Sequence, residues 1–153
     1  MAIIKEVRGF MPKIGANCFM AETAAIIGDV AIGDNCSIWY GTVLRGDVNT
    51  ITIGNNVNIQ DGAVVHTLYQ RSKTMIGDNV SIGHNATVLD NAVVESGAIV
   101  AANALVTSGM RVEGGWIYAG VPAKKIKQVS TEQQKDIVER IANDYIMYAS
   151  WYK

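Results

Sequence analysis

A large, mostly aliphatic residue returns at every sixth position along one long stretch of this chain. Between Met75 and Ala119 these positions hold Ile76, Ile82, Val88, Val94, Val100, Val106, Val112 and Tyr118. A helix brings side chains to the same face about every 3.6 residues and a strand every two, so a period of six is typical of a short unit stacked on its own copies. The sequence therefore predicts a repeat protein.

The same period is present upstream, with two changes of register. It runs from Ile14 to Leu44, shifts by three residues before Ile53, and shifts by five more around residues 70–75. A second residue, mostly small or apolar, follows most of these positions by four, as at Cys18, Ala24, Ala63, Ala86 and Ala92. Each unit thus points two side chains inward, one large and one mostly small.

Residues that tolerate positive φ recur once per unit, as in Ile-Gly-Asp-Asn at 32–35 and 76–79. The chain therefore turns a corner after each short strand. Three units close a triangle, and stacked triangles form a prism of parallel strands, the architecture known as a β-helix. We predict a mainly β fold: a parallel β-helix over about residues 12–120, within a single domain of residues 1–153.

The repeats stop at Gly120-Val-Pro-Ala-Lys124, and a helix is predicted after them. Ser130-Thr-Glu-Gln133 is typical of a capping box, and we place the C-terminal α-helix at about residues 131–152. Its apolar stripe would lie along the prism and cover an exposed sheet face. The stripe consists of Ile137, Ile141, Tyr145, Tyr148 and Tyr152.

Composition and charge narrow the classes of partner and location. Thirteen Lys and Arg oppose fourteen Asp and Glu, without a basic run that could follow phosphates, so we expect no nucleic-acid partner. The charged start and the short apolar run at 98–106 indicate neither a secretory leader nor a membrane span. We expect a soluble, cytoplasmic protein.

Cys18 and Cys36 lie one turn apart and are interpreted as reduced core thiols, not as a metal pair.

Candidate site residues gather near one edge of the predicted prism. The two histidines, His66 and His84, each follow an inward position, and a histidine there is by default solvated or hydrogen-bonded. Stacking places Arg45 in one outward column with His66, and Asp61 in the next with His84. Asp47 and Gln60 lie beside them in sequence, which adds a further carboxylate and an amide.

These segments resemble the γ-class carbonic anhydrases and their hexapeptide-repeat relatives. The resemblance implies a left-handed coil and a homotrimer with metal sites between subunits. It also implies that His66 of one subunit and His84 of its neighbour bind Zn²⁺ or another divalent metal. The matching segments are Arg45-Gly-Asp47, Ile53-Gly-Asn-Asn-Val-Asn-Ile-Gln60-Asp61-Gly62, His66, Ile76-Gly-Asp-Asn-Val-Ser-Ile-Gly-His84-Asn-Ala86 and Gly120-Val-Pro-Ala-Lys124.

The resemblance assigns roles to the neighbouring residues as well. Arg45 and Asp47 would order the interface, while Gln60 and Asp61 would support and orient a metal-bound water. In this family three imidazoles leave one metal position open for water, whose lowered pKa gives the hydroxide that converts CO₂ to bicarbonate. Second-shell groups fix that geometry.

One departure from the family pattern concerns the third ligand. The family places a third histidine five residues after the second, and position 89 is Leu in this chain. About one coil is missing, yet the period is unbroken from Ile82 to Val94, so the prism can close with Leu89 in the column of His66. Two imidazoles are too few for an ordinary catalytic zinc site. A carboxylate, Asp61 or Asp90, could substitute, but nothing requires it, and we expect CO₂ hydration to be weak or lost.

Two other functions stay open at this point. Hexapeptide acyltransferases are similar in fold and often show a Gly-Val-Pro-Ala-Lys-like stretch where CoA lies, and His66 or His84 could act as general base. A non-catalytic trimeric scaffold or binding protein is the alternative from a different class. Trp39, Tyr40 and Trp116 are interpreted as packing or interface residues.

Overall fold

The chain winds as a left-handed parallel β-helix of about six turns, followed by a C-terminal helical region. The structure is a computed structural model, and it describes residues 1–70, 73–140 and 144–152. The predicted fold class, including the left-handed coil, is confirmed. Within the described ranges no helix has the length and apolar composition needed to cross a bilayer.

Most strands are only two or three residues long, and two longer ones continue around a corner of the prism. The helical segments are α1 (Thr131–Glu139) and α2 (Tyr145–Ser150). The strands are β1 (Ile3–Lys5), β2 (Lys13–Ile14), β3 (Phe19–Met20), β4 (Ala25–Ile32), β5 (Ser37–Ile38), β6 (Val43–Ile53), β7 (Asn58–Ile59), β8 (Val64–His66), β9 (Thr74–Ile76), β10 (Ser81–Ile82), β11 (Thr87–Val88), β12 (Val93–Val94), β13 (Ile99–Val100), β14 (Leu105–Val106), β15 (Arg111–Val112), β16 (Trp116–Ala119) and β17 (Lys124–Gln128).

Strands one turn apart pair in parallel, and the pairing register confirms both predicted slips. In the C-terminal half each residue pairs with the one eighteen positions later, as Ile82 does with Val100. Two turns in the middle of the prism are longer: Leu44 pairs with Val65, and Val65 pairs with Val88. These turns hold three and five extra residues, which lie in β6 after the Arg45 position and in the segment between β8 and β9.

The inward residues of the six-residue period form the core. Ile26, Leu44, Ile59 and Ile82 have no exposed surface, and small partners such as Ala86 are equally buried. Full burial of one such aliphatic side chain contributes roughly 1.5–3 kcal/mol, so the stacked columns supply most of the favourable free energy of folding. This rigid column positions every outward residue by its place in the repeat.

Asparagines occupy many of the corners because the backbone there has positive φ. Asn35, Asn56 and Asn79 have φ of 57°, 55° and 54°. Asn tolerates this region better than other residues with a Cβ atom, apart from Asp. The side chains also link the turns: Nδ2 of Asn56 donates to Oδ1 of Asn79 at 3.1 Å. The corners predicted from the sequence are therefore stabilised by ladders between turns.

The C-terminal region contains one strand that the repeat period did not predict. β17 runs antiparallel to β16 after a cis Val121–Pro122 peptide bond, and all its residues are exposed. It covers the edge that β16 would otherwise present. The predicted capping box is confirmed: Ser130 Oγ accepts from Gln133 N–H, and Gln133 Oε1 accepts from Ser130 N–H, both at 3.0 Å.

The last residues of the chain lie against the prism near its N-terminal end. The Tyr152 ring centroid is 6.0 Å from that of Phe19 and 6.4 Å from that of Trp39. This contact agrees with the expected path of the tyrosine stripe along a sheet face. Ile141 and the side chain of Tyr145, two members of that stripe, lie outside the described residues.

The two cysteines are free thiols at one inward corner, Cys18 half-buried and Cys36 buried. The backbone N–H of Cys36 donates to the Cys18 sulfur at 3.4 Å. Hydrogen bonding from Cys36 lowers the pKa of Cys18 to about 7, while the bond to Cys18 and burial raise the pKa of Cys36. Cys18 is therefore the more acidic thiol of the pair.

Candidate functional site

The first group of site residues is an outward column that crosses three successive turns. Arg45 in β6 pairs directly with His66 in β8. Because Val65 pairs with Val88, Leu89 is the next member of the column beyond His66. The column Arg45–His66–Leu89 therefore has the order expected from stacking.

Arg45 connects the two polar members of this group. Its Nη1 donates to Asp47 Oδ2 at 2.8 Å, and its Nη2 lies 3.1 Å from His66 Nε2. His66 Nδ1 is 3.3 Å from the Arg45 carbonyl oxygen. A guanidinium has no lone pair, so Nε2 is the acceptor and Nδ1 carries the proton. In that tautomer the Nε2 lone pair is directed at the Arg45 guanidinium.

Two further features of this group are the environment of Asp47, a residue predicted from the sequence, and Thr74, which sequence reasoning missed. Oδ1 of Asp47 is buried and has no hydrogen-bond partner in the described part of the chain. Buried Thr74 lies within hydrogen-bonding distance of two carbonyls of the column, with its Oγ1 3.2 Å from the His66 oxygen and 3.3 Å from the Leu89 oxygen. Thr74 stands where the six-residue period resumes, which is the only sequence signal that marked it.

The second group lies on the next edge of the prism. His84 Nε2 is 3.4 Å from Asp61 Oδ2; the His84 side chain is exposed and that of Asp61 partly exposed. The backbone joins the same turns, since Asn85 N–H donates to the Asp61 oxygen and Gln60 N–H to the Ile82 oxygen. Stacking of Asp61 with His84 agrees with the expectation from spacing. Their roles stay predictions.

The two groups do not meet within one chain. His66 ends β8, in the sheet that also holds β6 and β11, whereas His84 follows β10 in the other sheet. One face of the prism thus separates the two histidines. Among the described residues no group of three His, Cys, Asp or Glu side chains is arranged to hold a metal ion. Asp90 Oδ1 accepts a hydrogen bond from Ser108 Oγ at 2.5 Å.

Comparison with known families identifies the repeat. The profile of the bacterial transferase hexapeptide family, six repeats in length, matches residues 11–46 and 73–108. These ranges flank the two turns that carry the extra residues and most of the candidate site. Asp47, Gln60, Asp61 and His66 lie between the matched ranges, whereas Arg45 and His84 lie within them.

Among curated relatives, the chain is 34% identical to protein YrdA of Escherichia coli over 173 residues, which covers 98% of this chain and 94% of YrdA. It is 54% identical over 69 residues to a probable carbonic anhydrase of Methanocaldococcus jannaschii, covering 45% of this chain and 43% of that protein. Gamma carbonic anhydrase 1 of Arabidopsis thaliana mitochondria is 49% identical over 76 residues, and the match covers 46% of this chain. The chain spans only 28% of that plant relative's length.

Two solved structures are similar over nearly the whole chain. A hexapeptide transferase family protein of Anaplasma phagocytophilum has a TM-score of 0.79 at 38% identity, with 99% of this chain and 98% of that chain covered. A candidate acetyltransferase of Bacillus cereus has a TM-score of 0.80 at 32% identity, covering 99% of this chain and 96% of the other. Both likenesses extend from the prism into the C-terminal region.

Proposed function

Because the chain belongs to the γ-carbonic anhydrase-like family of hexapeptide-repeat proteins, we propose that it is a homotrimer with an incomplete metal site between subunits, in which CO₂ hydration is weak or lost. The proposed partners are further copies of the chain and a small molecule such as CO₂ or bicarbonate. Nucleic acid and membrane are not part of the proposal, and the proposed location is the cytoplasm.

The placement of the two histidines supports an assembly. His66 and His84 lie on edges that flank one face of the prism, so they can approach one another only when two copies pack edge against edge. Contacts between two different edges generate rings when the rotation between copies closes, and not two-fold dimers. The buried Oδ1 of Asp47 gives independent support, because an unpaired buried oxygen costs about 1–3 kcal/mol and a donor from a second copy would remove that cost.

Leu89 is the observation that carries the proposal of an incomplete site. It stands beside His66 in the column, at the position where the family resemblance expects the third imidazole. Neither carboxylate takes the place of Leu89 in the His66 column, since Asp61 lies beside His84 and Asp90 beside Ser108. The residues present therefore do not fit a three-ligand zinc site. The alignment with YrdA is longer than this chain by about one turn, which supports a missing coil.

Three measurements on the purified protein test this proposal. Light scattering after gel filtration gives the oligomeric state, elemental analysis gives the metal content, and stopped-flow assay gives CO₂ hydration. We expect a trimer with substoichiometric zinc and little turnover above the uncatalysed rate. A monomer would refute the assembly, and one tightly held zinc per subunit with robust turnover would refute the incomplete site.

Acyl transfer is the second candidate, supported by the transferase relatives of known structure. The turn at Gly120–Lys124, which joins β16 to β17, corresponds to the stretch that hexapeptide acyltransferases place near CoA. Calorimetric titration with acetyl-CoA discriminates the two functions. Absence of binding at about 1 mM would remove this candidate, because even a weak specific site of about −4 kcal/mol would be detected there.

A further inference from the structure

A pocket of about 300 Å³ lies where the end of the chain meets the prism, next to the His84 edge. Four of its six lining residues are aromatic and one is a carboxylate: Trp39, Tyr40, Gln60, Asp61, Tyr148 and Tyr152. The sequence predicts packing or interface roles for Trp39 and Tyr40, and a covering stripe for the tyrosines. The structure brings all four rings around one cavity instead.

One aromatic wall, Trp39, is held in place by contacts outside the cavity, and the Tyr152 ring lies against it and Tyr40. Trp39 is almost fully buried, its Nε1–H donates to Asn58 Oδ1 at 3.0 Å, and its ring lies 4.8 Å from that of Phe19. The Tyr152 ring is 5.8 Å from the Tyr40 ring and stands edge-on to Trp39. A side chain fixed as Trp39 is loses little conformational entropy when a ligand enters the cavity.

The charge around the cavity is negative. Asp61 is partly exposed, and its carboxylate lies 3.4 Å from His84 Nε2. A neighbouring cavity is lined by Glu22 and shares Tyr40 and Tyr152 with this one. Burial first, and then the charges of Tyr152, Glu22 and Asp61, raise the pKa of Tyr40. The described lining contains no Lys or Arg.

Ring faces and carboxylates attract the same kind of ligand. The face of an aromatic ring is electron-rich and binds cations, most strongly when several rings surround a poorly hydrated ammonium group. An anion such as bicarbonate would be repelled by the Asp61 carboxylate and by the same ring faces. We propose that this pocket binds a small organic cation that carries a methylated or quaternary ammonium group. One chain supplies every lining residue, and the proposal requires no metal.

Isothermal titration of the full-length protein, in its native assembly, tests the charge requirement directly. Choline is the probe, and 3,3-dimethylbutan-1-ol is its neutral isostere of nearly the same shape. We expect saturable choline binding and an affinity for the neutral alcohol at least about tenfold lower, since cation–π attraction in a partly desolvated site is worth about that much. Equal affinities, or no saturable binding of choline, would overturn the proposal.

Variants locate the site. Asp61→Asn keeps the shape of the side chain but removes its charge, and Tyr152→Leu removes one wall; each is expected to weaken choline binding about three- to tenfold. Tyr69→Leu is the matched control, because Tyr69 is an exposed ring stacked under Arg8 on another part of the surface. Circular dichroism verifies that each variant is folded. Wild-type affinity in folded Asp61→Asn, or equal loss in Tyr69→Leu, would contradict the assigned pocket.

Discussion

Replacement of Asn58 by Leu tests whether the buried polar contacts behind the aromatic pocket stabilise the fold. Asn58 Oδ1 accepts two hydrogen bonds, from Ser37 Oγ at 2.8 Å and from Trp39 Nε1 at 3.0 Å, and all three side chains are buried. Leu cannot accept either bond. Each donor that loses a buried acceptor costs about 1–3 kcal/mol, and added apolar burial recovers part of that, so we expect a net loss of about 2–4 kcal/mol.

Urea unfolding followed by far-UV circular dichroism, at one fixed protein concentration, measures this loss. A double variant, Ser37→Ala with Asn58→Leu, supplies the control, because the Ser37 donor is then absent as well. We expect the double variant to be no less stable than Asn58→Leu alone, which gives a coupling of about 1 kcal/mol. A stability of Asn58→Leu within about 0.5 kcal/mol of wild type, or strictly additive effects, would refute the reasoning.

Three further predictions concern other parts of the chain. Leu89→His should raise the amount of zinc retained by the purified protein at least about tenfold, whereas Leu68→His, at an exposed position, should not. Equal zinc contents in the two variants would contradict the placement of Leu89 beside His66. The pKa of Cys18 is lowered to about 7, so its rate of alkylation by iodoacetamide should rise through pH 7 and level off above it. Buried Cys36 should react only after unfolding. Mass spectrometry of the labelled peptides checks both expectations. Ser130→Ala removes the cap of α1 and should cost about 1 kcal/mol, visible as a melting temperature roughly 2–4 °C lower.

The repeat architecture could be predicted because burial in a prism imposes a period on the sequence. Leu44, Val65 and Val88 had to be inward residues of successive turns, and the two register slips between them followed from counting alone. The same arithmetic placed Arg45 beside His66 and Asp61 beside His84, as the structure has them. The pairing register of the inward residues also fixes which outward residues are neighbours, so these pairs could be predicted without knowing how side chains pack.

Segments outside the repeat carry no such constraint. β17 pairs with β16 through backbone hydrogen bonds that any sequence without proline can make, and its exposed residues show no inward period. The capping box marked where α1 begins, but no feature of the stripe specified which face its tyrosines would cover. The contact of Tyr152 with Phe19, Trp39 and Tyr40 joins the two ends of the chain and depends on the whole length of the prism.

The sequence by itself determined the coil, the order of its turns and the column in which Leu89 follows His66. Only the tertiary structure decided that the Arg45 guanidinium caps the His66 ring, that one oxygen of Asp47 is buried without a partner, and that aromatic rings enclose a cavity at Asp61. The physical reason is that a repeat depends on contacts between adjacent turns, which recur at a fixed spacing in the sequence. Side-chain hydrogen bonds and a docked terminus depend on torsions and distances that no spacing encodes.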